Sequence, residues 1–285
     1  MMFLLNGVNA DTLSLQDRGL QYGDGLFETI AVRNHQLEFW QRHMQRLLNG
    51  CQRLRIPAPD PELLLAEARQ LLAGRADAVL KIMITRGHGG RGYRAPTESD
   101  SKPSRILAIY DLPDYPVDNQ ANGVVARYCD TRLGTSPALA GIKHLNRLEQ
   151  VLARSEWQDE SIFEGLMLAA HGRVTEGTMS NLFFVKAGIL HTPDLSNSGV
   201  AGIMREVILA IANKRKIPVE VAHFSTADLS AADEIFISNS LIGAWPIRQL
   251  EQQLFSVGPV TKNIITAVNE SRLNSATHET IKTDY

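Results

Sequence analysis

Cysteine is almost absent from this chain: Cys51 and Cys129 are the only two in 285 residues. Cys51 sits in a helix-like context and Cys129 in a strand-like one, with no C-x-x-C spacing. This argues against a disulfide framework and a metal site, and makes a cytoplasmic location the expectation. Charge of one sign is lacking as well. Lysine and arginine number 29 against 31 acidic residues, a formal net charge of −2, so the overall balance points to neither nucleic acid nor a membrane surface as partner. No apolar run reaches the roughly 18 residues of a membrane span. The apolar start, Met1-Met2-Phe3-Leu4-Leu5, stops at Asn6-Gly7 without a basic segment and reads as a first strand, not an export signal. What is present is ordinary for a globular protein, 44% hydrophobic and 21% charged, without internal repeats, and long enough for two domains.

Periodicity supplies the elements. Strands are expected at 2–5, 26–32 and 37–40, with a hairpin turn at Arg33-Asn34-His35-Gln36. From Arg42 the spacing becomes helical through Met44, Leu47, Leu48, Cys51 and Leu54, until Pro57 and Pro59. A helix over 61–72, strands at 78–85 and 105–110, and a glycine-rich segment between them follow. The stretch 111–122 has two prolines, three aspartates and no apolar period, which suits a linker. Beyond it come strands at 123–129, 165–170, 182–185, 219–222 and 234–238, and helices near 146–157, 203–211 and 260–272. The polar tail from Ser275 is expected to fray. Strands and helices mix without strict βαβ alternation, which predicts two α+β domains, 1–113 and 122–285, joined by a linker at 114–121.

The chain has eight lysines, and six lie in polar loops or at helix ends. Lys81, in Val79-Leu80-Lys81-Ile82-Met83, reads as a strand lysine reaching for water. Lys143 lies in Ala140-Gly141-Ile142-Lys143-His144-Leu145-Asn146. Apolar surroundings disfavour an ammonium and leave a nucleophilic amine, although an ordinary half-buried lysine fits the same pattern. Glu176, in Val174-Thr175-Glu176-Gly177, is a functional carboxylate or a solvated turn residue. Gly199-Val200-Ala201-Gly202-Ile203-Met204-Arg205 opens a helix, whose free N–H groups suit phosphate, or is a plain loop-to-helix junction. Arg46 offers a phosphate fork or a solvated guanidinium.

Taken together and in order, these stretches resemble aminotransferase class IV proteins, the fold type IV pyridoxal-phosphate (PLP) enzymes, over nearly the whole chain. The resemblance rests on Tyr22-Gly23-Asp24-Gly25-Leu26-Phe27-Glu28-Thr29, the 43–47 stretch with Arg46, Lys143 with Asn146, Thr175-Glu176-Gly177 with Asn181, Gly202-Ile203-Met204-Arg205, and Ser238-Asn239-Ser240. It implies a two-domain α+β fold of the D-amino-acid aminotransferase type, with PLP as cofactor and no metal. Lys143 would hold the cofactor covalently from the larger C-terminal domain and act as the catalytic amine. Glu176 would face the pyridine nitrogen. Arg46, the backbone of Ile203 and Met204, Ser240 and Leu241 would hold the phosphate. Met204 stands where the family usually has threonine, so a side-chain hydroxyl is missing there.

Two stretches, Thr85-Arg86-Gly87-His88-Gly89-Gly90-Arg91-Gly92-Tyr93 and the 141–150 segment, resemble the aminodeoxychorismate lyases of that family. They imply a small dicarboxylate substrate, 4-amino-4-deoxychorismate, contacted by Arg86, Arg91, Tyr93 and Asn146 and cleaved to 4-aminobenzoate and pyruvate in folate biosynthesis. A class IV aminotransferase acting on D-alanine or branched-chain amino acids is the nearest alternative. A non-catalytic PLP-binding protein and a cofactor-free binding module are further ones. The resemblance also implies a homodimer.

Overall fold

A computed structural model describes residues 2–97, 100–169 and 172–275, and the chain divides into two units. The tail expected to fray from Ser275 lies, past that residue, outside the described residues, as does the expected strand end at residue 170.

The first unit contains β1 (Met2–Leu5), β2 (Val8–Asn9), α1 (Arg18–Tyr22), β3 (Gly25–Arg33), β4 (Gln36–Leu37), α2 (Trp40–Leu54), α3 (Pro61–Leu72), β5 (Ala78–Thr85) and β6 (Ser104–Tyr110). The strands form one antiparallel sheet in the order β2-β1-β6-β5-β3-β4. Alternation decides its faces. Leu26, Ile30 and Val32 of β3 and Leu80, Ile82 and Ile84 of β5 join Met44, Leu47 and Cys51 of α2 and Leu64, Ala68 and Leu71 of α3 in one core. Each such burial contributes about 1.5–3 kcal/mol for the larger side chains. Helix α3 begins where Asp60 accepts a hydrogen bond from the Glu62 N–H ahead of Pro61. The strand expected through Trp40 ends at Leu37. Phe39 adopts a left-handed conformation (φ 55°), and Trp40 instead starts α2 and is buried in the core.

The second unit contains α4 (Asn119–Asn122), β7 (Val124–Leu133), α5 (Leu148–Arg154), β8 (Ile162–Ala169), β9 (Arg173–Gly177), β10 (Asn181–Lys186), β11 (Ile189–Pro193), α6 (Ile203–Lys214), β12 (Val219–Ala222), β13 (Phe224–Ser225), α7 (Thr226–Ser230), β14 (Glu234–Asn239), β15 (Gly243–Leu250), β16 (Gln253–Leu254) and most of α8 (Pro259–Ser275). Its sheet runs β12-β11-β10-β14-β15-β7-β8-β9-β13, with β16 paired to β15. Strand β9 also meets β10, Glu176 opposite Asn181, so six strands return on themselves. Helix α6 buries Ile203, Met204, Val207, Ile208 and Ile211, a helical stripe.

The division differs from the expected one in one respect that matters. The first unit ends at Pro113, but it also takes in Ile142–Asn146 and the chain from Arg272. Lys143 therefore belongs with the N-terminal unit, not the C-terminal one. The cause is backbone pairing of residues distant in sequence: Phe27 N–H donates to the Lys143 carbonyl at 3.0 Å, and Leu145 N–H donates to the Gly25 carbonyl at 3.0 Å. Ile142 fills the first unit's core. The helix expected from Asn146 begins at Leu148 instead.

Candidate active site

In the first unit, the segment around Lys143 lies against β3. Leu26 and His144 form an antiparallel bridge, and the two hydrogen bonds above fix the backbone on both sides of the lysine. Lys143 Nζ stands 4.3 Å from the centroid of the Phe27 ring, and Lys81 Nζ stands 5.5 Å from the same ring. The ring face attracts each cation. Phe27 pairs with Met83 and Thr29 with Lys81, so Phe27 and Lys81 are diagonal neighbours on one sheet face. Two amines thus share an aromatic platform, and Lys143 is the nearer.

Glu28 points the other way, into the core beside Leu26 and Ile30. It is 1% exposed and accepts from Arg46 Nε at 2.8 Å, Arg46 Nη2 at 2.5 Å and His43 Nδ1 at 2.6 Å. Burial by itself pushes the carboxyl up. The Arg46 guanidinium and His43 outweigh it and hold Glu28 at about 2. Burial holds His43 below the ordinary histidine value against the pull of Glu28. The consistent assignment is a neutral imidazole that donates Nδ1–H to the carboxylate, while its buried Nε2 has no partner. Arg46 is thereby oriented by a buried carboxylate, which its Nε and Nη2 both engage.

Of the other expected contacts in this unit, Asn146 donates to the Gly23 carbonyl at 3.0 Å, where Gly23 turns the chain with φ 64°. Arg86 is engaged within the unit. Its Nε and Nη2 grip Asp24 at 2.7 and 3.0 Å, and Nη1 and Nη2 donate to the carbonyls of Arg55 and Leu54 at 2.6 and 2.8 Å. Arg86 thus caps the α2 carboxyl end and holds Asp24 with four of its five N–H groups. Arg91 and Tyr93 are exposed on the glycine-rich segment.

In the second unit, Glu176 is 4% exposed, and its Oε2 accepts the Val200 N–H at 2.8 Å. The Val200 carbonyl accepts from Asn181 Nδ2, also at 2.8 Å. One residue, Val200, thus ties Glu176 and Asn181 to the chain that enters α6. The first residues of α6, Ile203 and Met204, follow Gly202, which uses no side-chain cap. A Cβ at Gly202 would overlap Asn181 Oδ1, so only glycine lets the helix start lie this close to Asn181. Free N–H groups at a helix start suit an anion. The turn holding Ser240 and Leu241 is shaped by Asn239, whose Oδ1 accepts from the Leu241 and Ile242 N–H groups and whose Nδ2 donates to Met179.

Three residues, Arg147, Glu164 and Glu28, are given no role by the sequence. Arg147 lies within electrostatic reach of Glu176: burial lowers the arginine while Glu176 and Glu149 raise it. Glu164, wholly buried, accepts from Thr178 Oγ1 at 2.6 Å, Ser180 Oγ at 2.7 Å and the N–H groups of Gly165, Thr178 and Met179. It clamps the turn between Glu176 and Asn181. Burial pushes its carboxyl up against those donors. Glu28 carried a usable signal, since its period-two phase matches Leu26, Ile30 and Val32 and so predicts burial.

Residues 25–250 match the amino-transferase class IV model, and the chain belongs to that family. It is similar to an aminodeoxychorismate lyase of Vibrio harveyi, 39% identical over 92% of this chain and 98% of the relative. The crystal structure of 4-amino-4-deoxychorismate lyase from Pseudomonas aeruginosa superposes with a TM-score of 0.90 at 46% identity, covering 94% of this chain and 98% of that one. A D-alanine aminotransferase of Bacillus licheniformis is 29% identical over 95% of this chain and 94% of the relative.

Proposed function

We propose that this chain is a PLP-dependent lyase that converts 4-amino-4-deoxychorismate to 4-aminobenzoate and pyruvate in folate biosynthesis. The observation that carries the choice of branch is the greater identity to two such lyases than to the aminotransferase. The residues present fit the cofactor: a carboxylate fixed by the Val200 N–H, a glycine-cradled helix start, and an amine seated on Phe27. Lys143, Arg46, Glu176, Ile203, Met204, Ser240 and Leu241 are the residues that would hold it.

When bound, PLP supplies a protonated pyridine ring that withdraws electrons from the carbon bearing the substrate nitrogen. Glu176 would face that ring nitrogen. The amine of Lys143 would take the proton from the substrate ring carbon that bears nitrogen. The same amine returns a proton to the enolpyruvyl group as the C–O bond breaks and pyruvate leaves. The remaining ring becomes aromatic, which drives the step. Arg91, Tyr93 and Asn146 bind the substrate.

We place the enzyme in the cytoplasm as a homodimer. Two buried free thiols support the first. The exposed Leu148, Val151 and Leu152, adjacent on one face of α5, support the second. Among the described residues no helix is long and apolar enough to cross a membrane.

The test is fluorescence detection of 4-aminobenzoate from enzymatically made 4-amino-4-deoxychorismate, without any 2-oxo acid. Product formation is expected. A PLP-loaded protein that forms none, yet transfers the amino group of D-alanine or a branched-chain amino acid to a 2-oxo acid, would move the assignment to the aminotransferases.

A further inference from the structure

We propose that Arg18 is a positioning residue for substrate: it clamps the glycine-rich segment and so fixes where Arg91 and Tyr93 are presented, without touching substrate itself. The substrate part of this inference rests on the lyase reading above. The segment leaving β5 has glycine at 87, 89, 90 and 92. Such backbone loses much conformational freedom when ordered, so something must hold it if its side chains are to bind well.

Arg18 is that hold. It is 3% exposed, an unusual state for an arginine in a five-residue helix. Its Nη1 donates to the Gly92 carbonyl at 2.9 Å and its Nη2 to the Tyr93 carbonyl at 3.3 Å, the carbonyls next to and on the two residues in question. Its Nε is anchored on Asp24 at 2.9 Å, and its guanidinium lies 4.8 Å from the Tyr22 ring centroid. The Tyr22 hydroxyl accepts the Gly92 N–H at 3.3 Å, and the Tyr22 ring meets Tyr93 edge-on at 5.6 Å. A Cβ at Gly89 would strike the aliphatic stem of Arg18. The segment therefore wraps the Arg18 side chain from Gly89 to Tyr93.

Asp24 is shared with Arg86, so one carboxylate anchors both guanidiniums at the base of the segment. Arg91 itself has no ion pair or hydrogen bond among the described residues. An exposed arginine on a fixed loop is suited to one carboxylate of a dicarboxylate substrate. Lysine at position 18 would keep the charge on Asp24 but could not fork two carbonyls at once.

The experiment compares holoenzyme carrying Arg18→Lys, Arg91→Gln or both. Arg18→Lys is expected to speed amide exchange over residues 89–94 and to raise KM for 4-amino-4-deoxychorismate about tenfold, as loss of two charge-assisted hydrogen bonds implies. The same variant should leave kcat within about twofold and PLP affinity unchanged, because the uniform binding step alone is weakened. Arg91→Gln should raise KM similarly with slow exchange retained, and the double variant should raise it no further, since both act on one contact. Unchanged exchange in Arg18→Lys, an unchanged KM with the segment released, or fully additive effects would each overturn the proposal. So would a KM increase accompanied by lost PLP affinity. A wild type inert toward 4-amino-4-deoxychorismate would sink the lyase reading first, and with it the substrate part of this inference; the exchange measurement would still judge the clamp alone.

Discussion

Replacing Glu28 by glutamine tests whether the buried carboxylate organises the first unit. Glu28 is ionised at neutral pH against its burial because Arg46 and His43 surround it. A carboxyl held at about 2 instead of 4.5 contributes roughly 3 kcal/mol. Glutamine removes the charge and turns an NH2 toward Arg46 or His43, which are donors already, so a loss of that size or slightly more is expected, in line with broken buried pairs. Urea unfolding at pH 7, followed by circular dichroism, should show the midpoint lowered by roughly 1 M. The pH dependence has a definite sign. The folded value lies below the unfolded one, so the contribution is complete above about 4.5 and is lost as pH falls toward about 2. The gap between wild type and Glu28→Gln should therefore narrow across that window. A variant within about 0.5 kcal/mol of wild type at pH 7, or a gap that is constant down to pH 3, would refute the reasoning.

Two further outcomes follow from the burial of single groups. Glu164→Ala leaves the Thr178, Ser180, Gly165 and Met179 donors without their acceptor and should destabilise the second unit by at least about 3 kcal/mol. A urea midpoint equal to wild type would contradict the clamp. The thiols of Cys51 and Cys129 are buried and pushed up to about 12. Native protein at pH 8 should accordingly resist a thiol-specific disulfide reagent until urea is added, and prompt labelling of either thiol would show the burial to be wrong.

Much of the scaffold is legible in the sequence because it obeys local rules. The alternation of β3 and β5 and the helical spacing of Met44, Leu47 and Cys51 all report the same core. What local rules miss has physical causes. Strand β15 carries Pro246 while lying between β14 and β7, an arrangement that proline normally forbids; a register irregularity sits beside it, between Ile247 and Gln249. Strand β9 is short and includes Glu176, so it reads as a turn. The unit that holds Lys143 depends on hydrogen bonds to Phe27 and Gly25, more than a hundred residues away in the chain, which periodicity does not encode. Arg86 was legible as an arginine beside glycines, but its partners, Asp24 and the end of α2, come together only in the fold.

The central claim is that Lys143 is the amine that holds the cofactor, and borohydride reduction of the PLP-loaded protein followed by peptide mapping tests it most directly. Lys81 is the informative competitor, since both amines lie over Phe27. Reduced cofactor is expected on Lys143 alone, with no labelling in Lys143→Ala. Label on Lys81, or a wild type that binds PLP yet carries no reducible bond, would contradict it.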